Sequence, residues 1–209
     1  MASSLIHMSV AKEIGKRINK RSKDYYLGSI APDIAKQIGL PKGATHFQYA
    51  ADNVPNIDVF LDLYRDDMKS DYTLGYFIHL YTDKMWFDGF IDYLVCNDSV
   101  KLRDGTLLRL PEEEITKLIY NDYTNMNISL LDKYELDLSL IYEDYIKPVT
   151  KVKEADLDKM PVLLEQMGRI IENSKNDKKY IFNMNMVNTF IKDCTNEIID
   201  YLTSNNLLN

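Results

Sequence analysis

The chain has 209 residues, enough for one sizeable domain with a real core, and its 45% hydrophobic and 27% charged residues fit a soluble globular protein better than a disordered or membrane-spanning one. Eight glycines and six prolines are too few turn residues for a sandwich of many short strands, so a mostly helical fold is expected. The net charge of −7 excludes duplex nucleic acid as the expected partner, because phosphate contacts need a concentrated basic surface.

A first helix is predicted from about 4 to 20, where Leu5, Val10, Ile14 and Ile18 recur at helical spacing behind Ser3 or Ser4 as N-cap. Its far end is basic, with Lys12, Lys16, Arg17, Lys20, Arg21 and Lys23 reading as a solvated helix face or as part of an anion site. Gly28, Pro32, Gly39, Pro41 and Gly43 mark the stretch from Tyr25 to Gly43 as loop around a short helix at about 32 to 38. A helical period follows Pro55, through Ile57, Phe60, Leu61, Tyr64 and Met68. From Asp71 to about Val95 the apolar residues run most of the way round, the pattern of a centrally buried helix.

Val100 to Leu110 alternates about Asp104-Gly105, the dipeptide of a two-residue type I′ turn, so one small β-hairpin is expected there. Further helices are predicted at about 112 to 121, 123 to 132, 137 to 146, 161 to 174 and 185 to 204, separated by Pro148, Pro161 and the polar run from Asn173 to Lys179. Two cysteines, Cys96 and Cys194, with no CxxC or framework spacing, are expected to be reduced thiols. The opening Met-Ala-Ser-Ser-Leu-Ile-His-Met has no basic segment leading into a long apolar run, and no later window offers about 18 uncharged apolar residues. The expectation is a cytoplasmic protein without signal peptide or transmembrane segment.

Chemistry concentrates in the first 79 residues, which hold all three histidines: His7, His46 and His79. His79 and Asp83 stand four apart on the central helix, a spacing that puts both side chains on one face. A carboxylate buried there needs a cation, a hydrogen-bond network or a metal, since an unpaired buried charge costs several kcal/mol. Each residue also has a structural alternative. His7 near a helix start suits capping or packing, Asp33 after Pro32 suits a helix N-terminus, and His46 after Thr45 suits a loop. Taken together, three histidines and two aspartates form a donor set for zinc or another divalent first-row ion, for two ions as readily as one.

Three strings then carry a resemblance: Gly28-Ser29-Ile30-Ala31-Pro32-Asp33, Thr45-His46-Phe47, and Gly75-Tyr76-Phe77-Ile78-His79-Leu80-Tyr81-Thr82-Asp83, with His7 upstream. In this order they resemble the bacterial zinc-dependent phospholipase C family and its single-strand nuclease relatives, over about residues 4 to 95. The resemblance implies an all-α fold, a multi-helix bundle around a metal cleft; with the chain's length and helical periodicity the expectation is a single domain 1–209, with a metal-site half of about 1–95 and a helical remainder of about 96–209. It implies that Asp33, His46, His79 and Asp83 hold one zinc ion, that Asp83 bridges to a second held with His7, and that Asp33 also serves as the catalytic base. In the family a free amino terminus joins the second ion, whereas here Met1 stands six residues before His7. The family's third ion uses later histidines; none follows His79, which leaves carboxylates, Asp88 among them.

The implied activity is hydrolysis of a phosphate ester by a metal-activated water, with a small phosphate ester or a phospholipid head group as substrate. Two alternatives stand beside it. One is a non-catalytic helical binding or scaffolding protein that keeps a metal cluster. The other is a His-Asp-type nucleotide phosphohydrolase, whose adjacent His-Asp pair is missing because Phe47 follows His46 and Leu80 follows His79.

Overall fold

The computed structural model describes residues 2–20, 22–49, 53–96, 98–175 and 178–208, and these form an all-α protein with one small antiparallel sheet. Helix α1 (Ser4–Ile18) starts where Ser3 accepts the Ile6 N–H and stops at Asn19, which takes the left-handed conformation. In the basic run at and beyond its end, Lys16 pairs with Glu13, Lys20 with Asp71 and Lys23 with Glu143, and Arg17 donates to Asn196, as expected of a solvated face. Arg21 lies outside the described residues.

The next segment corrects the loop expected across Tyr25 to Gly43. Residues Lys23–Ile30 form a regular helix, α2, followed by a 3₁₀ turn at Ala31–Asp33 and short helices α3 (Ile34–Gln37) and α4 (Lys42–His46). Gly28 is not a helix breaker here. It sits where α2 crosses α6 (Asp71–Met85): a Cβ on Gly28 would lie 2.1 Å from the Tyr72 carbonyl, and one on Gly75 would lie 2.1 Å from the Tyr25 carbonyl. Each glycine makes room for the other helix's backbone, and this is the most extensive helix pairing in the fold.

Helix α5 (Ile57–Tyr64) packs on α6, which is buried from Tyr72 through Asp83. The long helix expected to reach Val95 ends ten residues sooner. After Met85 the chain widens into one π-turn over Trp86–Phe90 and breaks at Asp88 and Gly89, where Gly89 adopts φ 124°, a conformation only glycine takes without strain.

Strands β1 (Val95–Cys96), β2 (Ser99–Lys101) and β3 (Leu107–Arg109) make the sheet. Lys101 pairs with Leu107, so the connection is a five-residue loop and not the two-residue turn expected. Only Gly105 has positive φ there (89°), whereas a type I′ turn needs two such residues.

The predicted break near residue 122 is absent, because α7 runs unbroken over Glu112–Tyr134. Asn121-Asp122 looks like a boundary in sequence, but the buried Asp122 carboxylate accepts the backbone N–H groups of Tyr180, Ile181 and Phe182 and ties the distant chain to the helix. The helix expected at 137 to 146 shrinks to α8 (Ser139–Tyr142), while α9 (Met160–Glu172) and α10 (Met184–Ser204) form near their predicted limits. Pro161 is at the start of α9, where its missing N–H costs nothing. Helix α10 packs on α1 and α6 and buries Val187, Ile191, Ile198 and Leu202. Cys194 is buried on the same helix and Cys96 lies on the surface, so the two are not bridged. No helix among the described residues is long and apolar enough to cross a membrane.

Candidate metal centre

Four separate pieces of chain converge beside α6. His7 comes from the first turns of α1, Asp33 from the 3₁₀ turn after α2, His46 from the last residue of α4, and His79 and Asp83 from α6 itself. All five side chains expected from sequence to be ligands are buried.

The donor atoms face one another at close range. His7 Nε2 is 3.3 Å from Asp83 Oδ1, and His46 Nε2 is 3.3 Å from His79 Nε2. Asp83 Oδ2 lies 3.7 Å from His46 Nε2 and 3.8 Å from His79 Nε2, and Asp33 Oδ1 lies 3.8 Å from His46 Nε2. Four donors held at zinc's usual bond lengths around a tetrahedral ion stand roughly 3.3–3.4 Å apart, so these contacts need to tighten by only a few tenths of an ångström. Two triads meet the spacing for an ion, His7 with His79 and Asp83, and Asp33 with His46 and His79.

The hydrogen bonds around the ligands decide which atoms are available. His79 Nδ1 lies 2.8 Å from the Ser29 carbonyl, which can only accept, so Nδ1 carries the proton and Nε2 presents a bare lone pair. His46 is fixed in the same tautomer by the Lys42 carbonyl at 3.2 Å and the Thr45 hydroxyl at 2.9 Å. Two bare Nε2 lone pairs therefore point at each other, which is repulsive unless a cation lies between them.

Several atoms have no hydrogen-bond partner despite being buried: both His7 ring nitrogens, Asp33 Oδ1 and Asp83 Oδ2. Asp83 Oδ1 accepts the Ala2 backbone N–H (2.9 Å), and the Ser4 hydroxyl donates to Asp33 Oδ2 (2.9 Å), so each carboxylate is oriented by one oxygen and leaves the other facing the cluster. Asp33 stands at the N-cap of α3, as the helix-terminus reading expects, but makes no capping hydrogen bond there.

Electrostatics point the same way. Burial pulls His46 below its ordinary pKa, and burial together with neighbouring His7 pulls His79 well below it, so both favour the neutral form. Burial opposes ionisation of Asp83, but the adjacent His7, the charge of the chain's amino group and His79 outweigh it and hold the carboxyl far below its usual range. His7 stacks on His79 with ring centroids 3.7 Å apart, an arrangement that disfavours two imidazolium charges. Among the described residues every ion-pair contact of Asp83 is with an imidazole. A buried carboxylate that favours its ionised form, beside His46 and His79 that favour their neutral form, is a donor set that a divalent cation fits.

Asp88 belongs to no ligand group among the described residues; it lines a separate surface groove with Met85, Phe90 and Asp193. The contribution of Ala2, Ser4 and the Ser29 carbonyl escapes sequence reasoning. Ser4 reads there only as a possible N-cap, and a backbone group carries no sequence signal. Comparison with family models, with curated proteins and with solved structures finds no match to this chain.

The centre opens on one side. Asp33 lines a cleft walled by α3, α7 and α9, together with Ala2, Ser4, Lys36, Tyr120, Tyr123 and Met167. Of the five ligand-type residues, Asp33 alone lines it, which makes it the one in contact with whatever the cleft admits.

Proposed function

We propose that this protein is a metal-dependent hydrolase of phosphate esters, with zinc the first choice of metal and up to two ions held by His7, Asp33, His46, His79 and Asp83. The observation that carries the proposal is the set of buried, unpartnered donor atoms on His7, Asp33 and Asp83, facing two imidazole nitrogens and opening on a cleft through Asp33. Asp83 suits a bridging role, since its Oδ1 is turned to His7 and its Oδ2 to His46 and His79. Bound ions would supply Lewis acidity to a phosphoryl oxygen and bring the pKa of a water toward about 7.

The chain's own residues account for the rest. Carbonyls of Ser29 and Lys42 fix the tautomers of His79 and His46, so neither spends its Nε2 on a proton. The Ser4 hydroxyl holds Asp33 by Oδ2, and Asp33, the ligand-type residue on the cleft wall, would also take a proton from a water that the cleft admits. Attack by that water forms a new P–O bond as the bond to the alcohol breaks, and the proton held at Asp33 passes to the departing alcohol.

Metal analysis of protein purified without added metal tests this, with bis(p-nitrophenyl) phosphate and p-nitrophenyl phosphate as substrates. The wild type is expected to carry about two equivalents of zinc or another first-row ion, and His79→Ala to lose most of it together with hydrolysis. Asp33→Asn, at the cleft wall, is expected to fold normally and to hydrolyse roughly 10²-fold more slowly or worse. No metal in the wild type and none taken up on reconstitution would overturn the proposal and favour a binding protein. Unchanged metal and activity in His79→Ala would overturn the site.

A further inference from the structure

We propose that Lys36, held by Tyr120, is the anion-positioning residue of the cleft and selects compact phosphate esters. The inference rests on the phosphate-ester reading above and adds the substrate class and the residue that recognises it.

Lys36 is one helical turn beyond Asp33, so its side chain leaves the backbone on the same side as that carboxylate. Its ammonium reaches across the cleft to α7, where it donates to the Tyr120 hydroxyl (2.6 Å) and lies 3.9 Å from the centre of the same ring. Among the described residues Lys36 forms no ion pair, in contrast to Lys16, Lys20 and Lys23, which all contact acids. A lysine oriented by a phenol and its π face retains its full charge and spare N–H donors. It stands on the wall of the cleft that Asp33 also lines, and Asp33 keeps its Oδ1 buried and without a hydrogen-bond partner. A cation placed beside a proton acceptor in one cleft matches a dianionic phosphoryl group, with one side of the phosphate held and the other presented for attack.

The remaining walls set what the phosphate is attached to. Tyr123, Met167 and Ile170 face the cleft from α7 and α9, and neither Asp nor Glu other than Asp33 lines it. The cleft's cavity volume is about 100 Å³. That lining, in which Gln37, Thr124 and Asn127 stand beside the apolar side chains, suits a compact phosphate ester.

Phenylphosphonate, which cannot be hydrolysed at its P–C bond, is the probe. It is titrated calorimetrically into zinc-loaded wild type, Lys36→Met and Lys36→Arg, each checked for zinc content and thermal melting. Lys36 is exposed, so all three are expected to fold and to hold equal zinc. The expected result is a loss of affinity of roughly ten-fold or more in Lys36→Met, the order of one charge-assisted hydrogen bond, largely restored in Lys36→Arg. With p-nitrophenyl phosphate, KM should rise in Lys36→Met far more than kcat falls. Equal affinity in wild type and Lys36→Met overturns the inference while leaving the metal centre intact. So does zinc-loaded wild type that binds no phenylphosphonate at millimolar concentration. If the wild type takes up no zinc, the functional proposal falls and the titration is read on the metal-free protein. Lys36-dependent binding there supports the anion site, and its absence overturns it.

Discussion

His79 is fixed from both sides, with Nδ1 committed to the Ser29 carbonyl and Nε2 directed at His46 and Asp83. A buried imidazole held neutral has a consequence for stability in the metal-free protein. His46 and His79 titrate below their ordinary value when folded and near about 6.5 when unfolded. Below that pH the unfolded chain binds protons that the folded chain refuses, so stability must fall as the pH is lowered, by up to about 1.4 kcal/mol per pH unit for each histidine. Asp83, held below its usual range, contributes stability that is present above the unfolded carboxyl pKa and disappears only in strong acid. Urea denaturation of chelator-treated protein should show the midpoint dropping between about pH 7.5 and 5.5. A midpoint that stays flat there would mean that the two imidazoles are not held neutral. Residue chemistry of this kind was legible in advance only as a list of candidate ligands. The sequence gives His79 and Asp83 one helical face, but which ring nitrogen is free depends on carbonyls at Ser29 and Lys42.

Between elements, the crossing of α2 and α6 decides the geometry of the centre. Gly28 and Gly75 bring the two backbones together, and that approach sets the Ser29 carbonyl against His79. Gly75→Ala puts a methyl group 2.1 Å from the Tyr25 carbonyl, so the helices must separate. Overpacking of this kind costs about 1–3 kcal/mol and more when backbone must shift. Gly75→Ala should therefore melt at lower temperature and also bind zinc less tightly, because His79 moves away from its anchor. A variant as stable as wild type with normal zinc content would sink this account. The sequence marks both glycines inside the strings that resemble the metal-dependent family, yet punctuation rules read Gly28 as loop. The rule fails because glycine serves turns and close helix contacts alike, and one chain read alone does not say which.

Over the whole molecule, donors drawn from α1, the 31–33 turn, α4 and α6 make the centre a staple across the N-terminal elements. A metal that binds only the folded state stabilises by mass action, about 4 kcal/mol at a thousandfold excess over its Kd. Chelation should lower the melting temperature and zinc should restore it, while in His79→Ala neither treatment should shift it. An equal response in the variant would place the ion elsewhere. The C-terminal half carries no ligand from the candidate set but supplies two walls of the cleft, α7 and α9, and the α10 face that covers α1. Deleting residues 150–209 would remove the α10 cover from α1 and α6, and the expected product is insoluble. A soluble truncation that still binds zinc would show that the N-terminal elements need no such cover.

Helix content, the approximate limits of α1, α9 and α10, the burial of α6 and the identity of the five candidate ligands follow from composition, hydrophobic period and motif order, all of which are local. Tertiary structure decided the rest. It placed four chain segments around one point, chose the free nitrogen of each histidine through distant carbonyls, and ended α6 at a π-turn. It also stretched α7 through Asn121-Asp122 because Asp122 satisfies three backbone N–H groups nearly sixty residues away. Lys36 and Tyr120 show the same limit: 84 positions apart, they meet across the cleft through a contact that no local pattern encodes. Periodicity reports which face of an element is buried, whereas the partner on the other side depends on how the elements pack.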